Sequence, residues 1–344
     1  MSTRAAEIRR PRTADQPLWD VVSGVYGYPA VLIAHRLKLF SLLAERPCTL
    51  SEICDARNIA ARPAEAILTA TTALGFLQLQ DNCYSLTPLA EDYLLESSPT
   101  SFGWYLDLII DNYAVCSFES LQKAVLTNAP QCYGGGEIFK THTEQADIAR
   151  AFTRGMHSMS MGPALAWPDV IDLAKHRIML DVGGGSGAHA IGATLASPTL
   201  QAIVFDLASV CEVAEEFIAR HGLQSRIRAH VGDMWDAQPF PQADLHFYSG
   251  IYHDWPPEKC QFLTRKSWEN LEPGGRIIIH EMLYNDEKTG PFPVAAFSMI
   301  MLGWAQGRQY SGRELSKMLM EAGFMEIEVK PTFGYYSIIT GRKP

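Results

Sequence analysis

A short apolar run, Ile178–Val182, leads into a glycine-rich segment that would let backbone approach a nucleotide closely. Gly183, Gly185 and Ala188 fit the pattern G-x-G-x-x-A, in which a strand turns into a helix whose first N–H groups face the ligand. NAD-binding folds share this pattern, so the segment alone does not exclude a dinucleotide. It favours an adenosine-like ligand over an accidental match.

Three acidic residues near this segment sharpen the choice of ligand. Asp181 stands where a dinucleotide fold prefers an apolar residue, and its carboxylate could meet the positive aminoacyl end of S-adenosylmethionine. Asp206 has the position of a carboxylate that holds ribose hydroxyls, although it could merely cap the next helix. Asp233 could accept from the adenine amino group while Met234 packs on the ring, although such a tripeptide is also an ordinary turn.

The elements that must position these residues alternate between strands and helices from Arg177 onward. Helical stretches of 10 to 20 residues separate most of the apolar runs, which predicts a parallel sheet in a doubly wound, Rossmann-like α/β domain. The last two strands, near Ile327 and Ile338, are joined by a short loop and are predicted to pair antiparallel. The strand candidates are 178–182, 202–205, 243–248, 276–279 and 336–340.

The first third of the chain is predicted to be a winged helix-turn-helix. Residues 34–45 show helical periodicity, Thr49 opens a second helix through a capping box, and Pro63 starts a third. Two short alternating runs around residues 81–82 indicate a hairpin.

At 344 residues the chain is too long for one ordinary domain and suits two. We predict a winged-helix domain over 1–100, linking helices over 101–165 that lie above the active site, and a cofactor-binding domain over 166–344. Glycines 134–136 mark a loop within the linking helices. Residues 1–12 are polar, lack the apolar core of a secretory signal and are expected to form a mobile tail.

Composition limits the partners and the compartment. A net charge of −9 offers no electrostatic footprint for nucleic acid or an anionic membrane. The most apolar stretch, 292–305, is too short to span a bilayer and is predicted to be a buried helix. Seven scattered cysteines without a CxxC pair indicate reduced thiols in a cytoplasmic protein, and no metal site.

Six motifs follow one another along the chain, each weak alone and specific as an ordered set: Leu180-Asp181-Val182-Gly183-Gly184-Gly185-Ser186-Gly187, Phe205-Asp206-Leu207, Gly232-Asp233-Met234, Tyr252-His253-Asp254-Trp255, Pro273-Gly274-Gly275 and Glu281. With them the chain resembles the plant-type small-molecule O-methyltransferases, which include caffeate, flavonoid and hydroxyindole enzymes and bacterial relatives. The resemblance covers nearly the whole chain. It implies a class I methyltransferase fold, S-adenosylmethionine as cofactor, and a winged helix that forms a homodimer interface instead of binding DNA.

The resemblance also implies that His253 is the general base for methyl transfer to a hydroxyl. A neutral phenol with a pKa of about 10 is a poor nucleophile at pH 7, and a histidine with a pKa of about 6.5 can take its proton. Glu281 matches the carboxylate that orients this histidine. A lone histidine is more often structural, but its place after a core strand, with Glu281 on the next strand, favours catalysis. Asp254 and Trp255 are expected to be cofactor-side or structural residues.

Further binding residues follow from the same resemblance. Leu207 joins the residues expected at the cofactor. The acceptor pocket is expected to contain Phe152, Met156, Phe297 and Met301, for which plain core packing is an equally good reading.

The sequence departs from the family pattern at two positions. Gln309 replaces a second glutamate that flanks the histidine; it can still hydrogen-bond an imidazole but adds no charge. Ser249 replaces a lysine that contacts the cofactor, which weakens one contact without removing the site. Both departures fit a bacterial enzyme of secondary metabolism better than a lignin enzyme.

Several other functions stay open at this point. The fold could methylate carbon or nitrogen, although the metal-dependent carbon methylating relatives use a downstream histidine that 292–311 lacks. A relative recruited to non-methylating chemistry is a further alternative. A DNA-binding regulator is disfavoured because 63–75 contains no lysine or arginine, and an NAD dehydrogenase is disfavoured by Asp181.

Overall fold

The computed structural model describes residues 10–135 and 138–344, and the chain divides into two compact units, Met1–Ser98 and Pro99–Pro344. Most of the predicted tail over 1–12, and Gly136 of the predicted glycine loop, lie outside the described residues. The segment 101–165 falls inside the second unit. Within the described ranges, no helix is both long and apolar enough to cross a membrane.

The first unit is helical with a small antiparallel sheet. The predicted capping box is confirmed, since Thr49 Oγ1 accepts from the Glu52 N–H at 3.3 Å and Glu52 Oε2 accepts from the Thr49 N–H at 2.7 Å. The predicted hairpin is confirmed, with Asp81 and Asn82 both at positive φ in its turn. The elements are α1 (Gln16–Arg36), α2 (Leu39–Glu45), β1 (Cys48–Thr49), α3 (Leu50–Arg57), α4 (Ala61–Ala73), β2 (Leu77–Gln80), β3 (Cys83–Leu86) and α5 (Pro88–Leu94).

Two helix limits predicted for this unit are wrong. The helix predicted over 34–45 is interrupted between α1 and α2, because Lys38 adopts left-handed backbone with a φ of 54°. The third helix begins at Ala61 and not at Pro63, since a proline is tolerated within the first turn, where N–H groups have no intrahelical acceptor.

The second unit begins with helices and continues as alternating strands and helices. Its elements are α6 (Gly103–Asp111), α7 (Phe118–Thr127), α8 (Ile138–Glu144), α9 (Ala146–Ala166), β4 (Ile178–Val182), α10 (Ala188–Ala196), β5 (Gln201–Asp206), α11 (Ala208–Arg220), β6 (Ile227–Val231), β7 (Leu245–Ser249), α12 (Pro257–Asn270), β8 (Arg276–Met282), α13 (Phe292–Trp304), α14 (Gly312–Ala322), β9 (Met325–Pro331) and β10 (Tyr336–Arg342). Each strand predicted from an apolar run is present, with ends displaced by at most three residues.

In the described part of this unit, seven strands form one sheet in the order β6-β5-β4-β7-β8-β10-β9. The strands from β6 to β8 in this order run parallel, and β10 pairs antiparallel with both β8 and β9. The predicted Rossmann-like sheet and its antiparallel final pair are therefore confirmed. β4 is buried at every position after its first residue, as expected for a central strand covered on both faces.

The carboxyl ends of the parallel strands meet at one edge of this sheet. β4 ends at Val182, β5 at Asp206, β6 at Val231 and β7 at Ser249. The strand order reverses between β4 and β7, which is where doubly wound folds bind their ligands. The predicted cofactor residues therefore open onto a common edge.

The helix predicted over 292–305 is present as α13, but the prediction that it is buried is wrong for one face. Val294, Met301 and Trp304 are buried, whereas Phe292 is 76% and Met299 is 45% exposed. The helix packs one side against the unit's interior and turns its other apolar side outward.

Candidate active site

A cavity of about 390 Å³ opens at the carboxyl edge of the sheet, and helices α6, α8, α9 and α13 contribute to its walls. It brings together all the residues predicted to bind the cofactor, namely Asp181, Gly183, Gly185, Asp206, Leu207, Asp233, Met234 and Ser249. They come from the carboxyl ends of four parallel strands and from the loops that follow, so the topology assembles them.

The glycine segment needs its glycines for two different reasons. A Cβ at Gly183 would lie 2.4 Å from Ile251 Cδ1, so a side chain would collide with the loop after β7. Gly185 has a φ of 57°, a left-handed conformation, and the space where its Cβ would lie is open within 4 Å. The second position therefore leaves room for a ligand against bare backbone.

Asp206 is clamped by backbone at the end of β5. Its Oδ2 accepts from the Gly185 N–H at 2.9 Å and its Oδ1 accepts from the Leu207 N–H at 2.7 Å. The sequence left open that Asp206 merely caps the next helix. The N-cap of α11 is Leu207, which makes no side-chain cap hydrogen bond. Asp206 instead accepts from the glycine segment and not from the first turn of that helix. Burial raises the pKa of Asp206 to about 6, so at pH 7 the carboxylate is mostly ionised and can accept further hydrogen bonds.

Asp181 is buried beneath the glycine segment and lines the same cavity. Its Oδ2 has no hydrogen-bond partner among the residues that the structure describes, and burial raises its pKa to about 7. A buried polar atom left unpaired is costly, and a cationic ammonium group would both pair it and favour its ionised form. The residues present therefore fit the aminoacyl end of S-adenosylmethionine.

Two further predicted cofactor residues have additional partners. Asp233 Oδ1 accepts from the Trp235 N–H at 2.9 Å, so Asp233 stabilises a turn as well as lining the cavity with Met234. Ser249 Oγ lies 3.0 Å from Nδ1 of the buried His280. A hydroxyl held by a histidine thus occupies the place that a lysine has in the family pattern.

His253 lies in a 3₁₀ turn directly after β7 and faces the cavity. Its Nδ1 is 3.2 Å from Glu281 Oε2 and 3.1 Å from Gln309 Nε2, and its ring stacks on Phe297 at 5.6 Å between centroids. Its Nε2 is 3.6 Å from Asp254 Oδ1. Glu281 and Gln309 do not line the cavity; they hold the imidazole from behind.

Glu281 on β8 shapes the turn that carries His253. Its Oε1 accepts from the N–H groups of Ile251, Tyr252 and His253 at 3.1, 3.0 and 3.4 Å. Burial raises the pKa of Glu281 to about 8 and lowers the pKa of His253 below its usual value. The imidazole is therefore neutral at pH 7, the state that a proton acceptor needs.

Gln309 reaches His253 because its loop passes against the turn that carries His253. A Cβ at Gly307 would lie 2.3 Å from the His253 carbonyl oxygen, so only glycine permits this approach. The Tyr310 hydroxyl donates to the Trp255 carbonyl at 2.8 Å and secures the same loop. The resemblance implied that Gln309 lies beside the histidine, as observed. The close approach of Gly307 depends on packing between distant segments and was not predicted.

The four predicted acceptor-pocket residues, Phe152, Met156, Phe297 and Met301, all line the cavity. Sequence reasoning missed several neighbours in the same walls, namely Tyr105, Phe139, His142, Trp304 and Tyr336. Trp304 lies one turn beyond Met301 on α13, so extending the helical spacing from Phe297 would have found it. His142 and Tyr336 carry no such signal.

Comparisons with known proteins identify the family of this chain. A family model described as the O-methyltransferase domain matches residues 118–325, and a model of the O-methyltransferase dimerisation domain matches residues 19–96. The 3-hydroxy-5-methyl-1-naphthoate 3-O-methyltransferase of Streptomyces sahachiroi is 33% identical over 90% of this chain and 89% of that protein.

Two further similarities extend over almost the whole chain. The tetracenomycin polyketide synthesis 8-O-methyl transferase of Streptomyces glaucescens is 27% identical, covering 93% of this chain and 94% of its own length. The structure of human N-acetylserotonin methyltransferase in complex with S-adenosylmethionine superposes with a TM-score of 0.85 at 26% identity, covering 99% of both chains. The chain is therefore an S-adenosylmethionine-dependent enzyme that belongs to the O-methyltransferase family and carries that family's dimerisation domain.

Proposed function

We propose that the enzyme methylates a phenolic hydroxyl of a small aromatic metabolite, with His253 as general base. The relatives from Streptomyces are named for a naphthoate and for a tetracenomycin polyketide, and both names describe transfer to oxygen. The aromatic walls formed by Phe139, Phe152, Phe297 and Trp304 suit a planar acceptor.

S-adenosylmethionine, when bound, supplies an electrophilic methyl group on a sulfonium. Asp206 would hold its ribose hydroxyls, Asp181 its ammonium group, and Asp233 with Met234 its adenine, while Gly183, Gly185, Leu207 and Ser249 would shape the remaining contacts. These proposed roles are supported by the hydrogen-bond partners of these residues and by their positions in the cavity lining.

The proton path follows from the contacts of His253. Nδ1 faces the Glu281 carboxyl group and donates its proton to Oε2, so Nε2 is the nitrogen left to receive the phenolic proton as the oxygen forms its bond to the methyl group. In this tautomer the Gln309 amide presents Oε1 to Nδ1–H, which pairs an oxygen that otherwise has no partner among the described residues. Glu281 then stabilises the imidazolium, and the proton leaves to solvent after the products dissociate. Gln309 positions the ring without adding charge.

The observation that carries the proposal is a neutral imidazole, backed by the Glu281 carboxyl group, in the same cavity as Asp206. Replacing His253→Ala removes the base, so we expect turnover of a naphthol acceptor to fall by roughly 10²–10⁴-fold. Calorimetry should show nearly unchanged S-adenosylmethionine affinity, because the imidazole lies outside the proposed contacts to ribose and adenine. Wild-type turnover in this variant would refute the role of His253.

We also propose that the enzyme is a homodimer formed through its N-terminal unit. α1 presents an exposed apolar stripe at Leu18, Val21 and Val25, spaced as on one helix face. The location in the cytoplasm stays a prediction that rests on the scattered thiols in the sequence.

A further inference from the structure

One wall of the cavity carries polar atoms that the proposed chemistry does not use. His142 on α8 is only 2% exposed and Trp304 on α13 is only 6% exposed, and both line the cavity. Neither His142 Nε2 nor Trp304 Nε1 has a hydrogen-bond partner in the described part of the chain. Both side chains are otherwise packed among aromatic rings.

Ring contacts place the two side chains on the same wall. His142 lies 4.8 Å from Phe152 between centroids, and Trp304 lies 6.2 Å from the same ring. Tyr133 contacts both of them at about 6 Å from behind. Two cavity-lining side chains that each carry an unpaired nitrogen therefore pack beside Phe152, a residue of the expected acceptor pocket.

Their chemistry selects one kind of group. An indole N–H can only donate, and a neutral imidazole can donate through one nitrogen. Burial lowers the pKa of His142 to about 4, so the ring is neutral at pH 7. An oxygen with two lone pairs can accept from both donors. On a planar aromatic acceptor, a carbonyl supplies such an oxygen without a charge that would have to be desolvated. Burying such polar atoms without a partner is unfavourable. A ligand that pairs them should therefore bind more tightly than a ligand of the same shape that does not.

We propose that His142 and Trp304 form a carbonyl-binding subsite, so that the preferred acceptor is a phenol that also carries a ketone or quinone oxygen. The inference rests on the proposed function, because it concerns a second contact to the same acceptor. The hydroxyl meets His253, and the carbonyl meets the wall around Phe152.

Matched probes test the subsite. The 5-, 6- and 7-hydroxy-1-tetralones share a bicyclic skeleton with 5,6,7,8-tetrahydro-2-naphthol, which lacks the carbonyl. The ratio of kcat/KM between a tetralone and the naphthol is measured for the wild type, His142→Phe and Trp304→Phe. Comparing ratios across variants cancels the different acidities of the phenols. Calorimetric Kd values for the same probes, on enzyme loaded with S-adenosylhomocysteine, need no methyl transfer.

We expect the wild type to prefer at least one tetralone about tenfold, and each variant to reduce that preference about threefold or more. His142→Gln keeps a hydrogen-bond donor and should therefore retain part of the tetralone preference that His142→Phe loses. The control Phe152→Leu removes packing on the same wall without removing a polar atom, so it should weaken both kinds of probe equally.

The outcomes separate the two proposals. If the wild type shows no tetralone preference, or if the preference survives in both variants, the subsite is refuted; a trapped water that pairs the two nitrogens would give this result. If the naphthol is methylated without any tetralone preference, O-methyl transfer stands and the subsite falls. A third outcome is that the wild type binds a tetralone more tightly than the naphthol, that the variants lose this difference, and that no probe is methylated. In that case the subsite stands and the proposed acceptor chemistry is refuted.

Discussion

His253 is held by two groups that differ in whether they can ionise. Glu281 supplies a carboxyl group at 3.2 Å from Nδ1, and Gln309 supplies an amide at 3.1 Å from the same nitrogen. A carboxylate in place of Gln309 would favour the imidazolium more strongly than the amide does. The amide thus keeps the ring available as a base down to lower pH.

This reasoning gives a prediction for Gln309→Glu. The new charge should raise the pKa of His253, and activity requires the neutral ring, so the acidic limb of the kcat/KM profile should move upward by about one pH unit. Gln306→Glu adds the same charge to the exposed part of the same loop and serves as the control. An acidic limb that stays in place, or moves equally in both variants, would contradict the assignment.

At the scale of elements, α9 lines the cavity through Phe152 and Met156 and also supports the glycine segment through His157, a side chain outside the cavity lining. His157 Nδ1 lies 2.8 Å from Ser186 Oγ, and its ring stacks on Phe217 at 3.6 Å between centroids. Burial lowers the pKa of His157 to about 3, so this contact is a neutral hydrogen bond near pH 7. The helix thereby fixes a loop that otherwise depends on glycines.

We predict that His157→Ala raises KM for S-adenosylmethionine about tenfold while KM for the acceptor changes little, because the variant releases Ser186 without touching the acceptor walls. His157→Asn, which can still bond the hydroxyl, should recover part of the loss. His221→Ala removes a histidine that bonds Phe217 backbone outside the cavity, so it tests for a general loss of stability. Equal changes in both KM values would argue against a positioning role.

The strands and the glycine segment could be predicted because apolar runs and glycine spacing are local signals. The position of the cofactor residues could then be predicted as well, because parallel strands place their carboxyl ends at one edge of the sheet. The close approach of Gly307 to His253, the wall formed by His142, and the break at Lys38 could not be predicted. The first two features depend on how segments distant in sequence pack, and the break at Lys38 depends on one backbone angle. Such causes leave no periodic pattern in the sequence.

At the scale of the whole molecule, the apolar stripe of α1 needs a partner. Val21 and Val25 are each 67% exposed, and a stripe of this kind on a dimerisation domain is typical of a subunit interface. We predict that the double variant Val21→Lys, Val25→Lys sediments as a monomer at micromolar concentration. Two charges facing each other across an apolar interface would have to be desolvated without partners.

The matched control places the same charges on the edge strand β9, at Met325 and Val329, which are also exposed. That variant should keep the sedimentation coefficient of the wild type. A dimer that persists with lysines on α1, or one that dissociates equally with lysines on β9, would rule out the proposed interface.

The clamp on Asp206 has a consequence for turnover. Backbone N–H groups from Gly185 and Leu207 hold its carboxylate ready before any ligand arrives. The proposed contact of Asp206 with the ribose involves a part of the cofactor that the reaction leaves unchanged, so it would stabilise bound S-adenosylhomocysteine as well as bound S-adenosylmethionine. Tight capture at this carboxylate therefore brings product inhibition with it, and the enzyme should work fastest where a partner reaction removes S-adenosylhomocysteine.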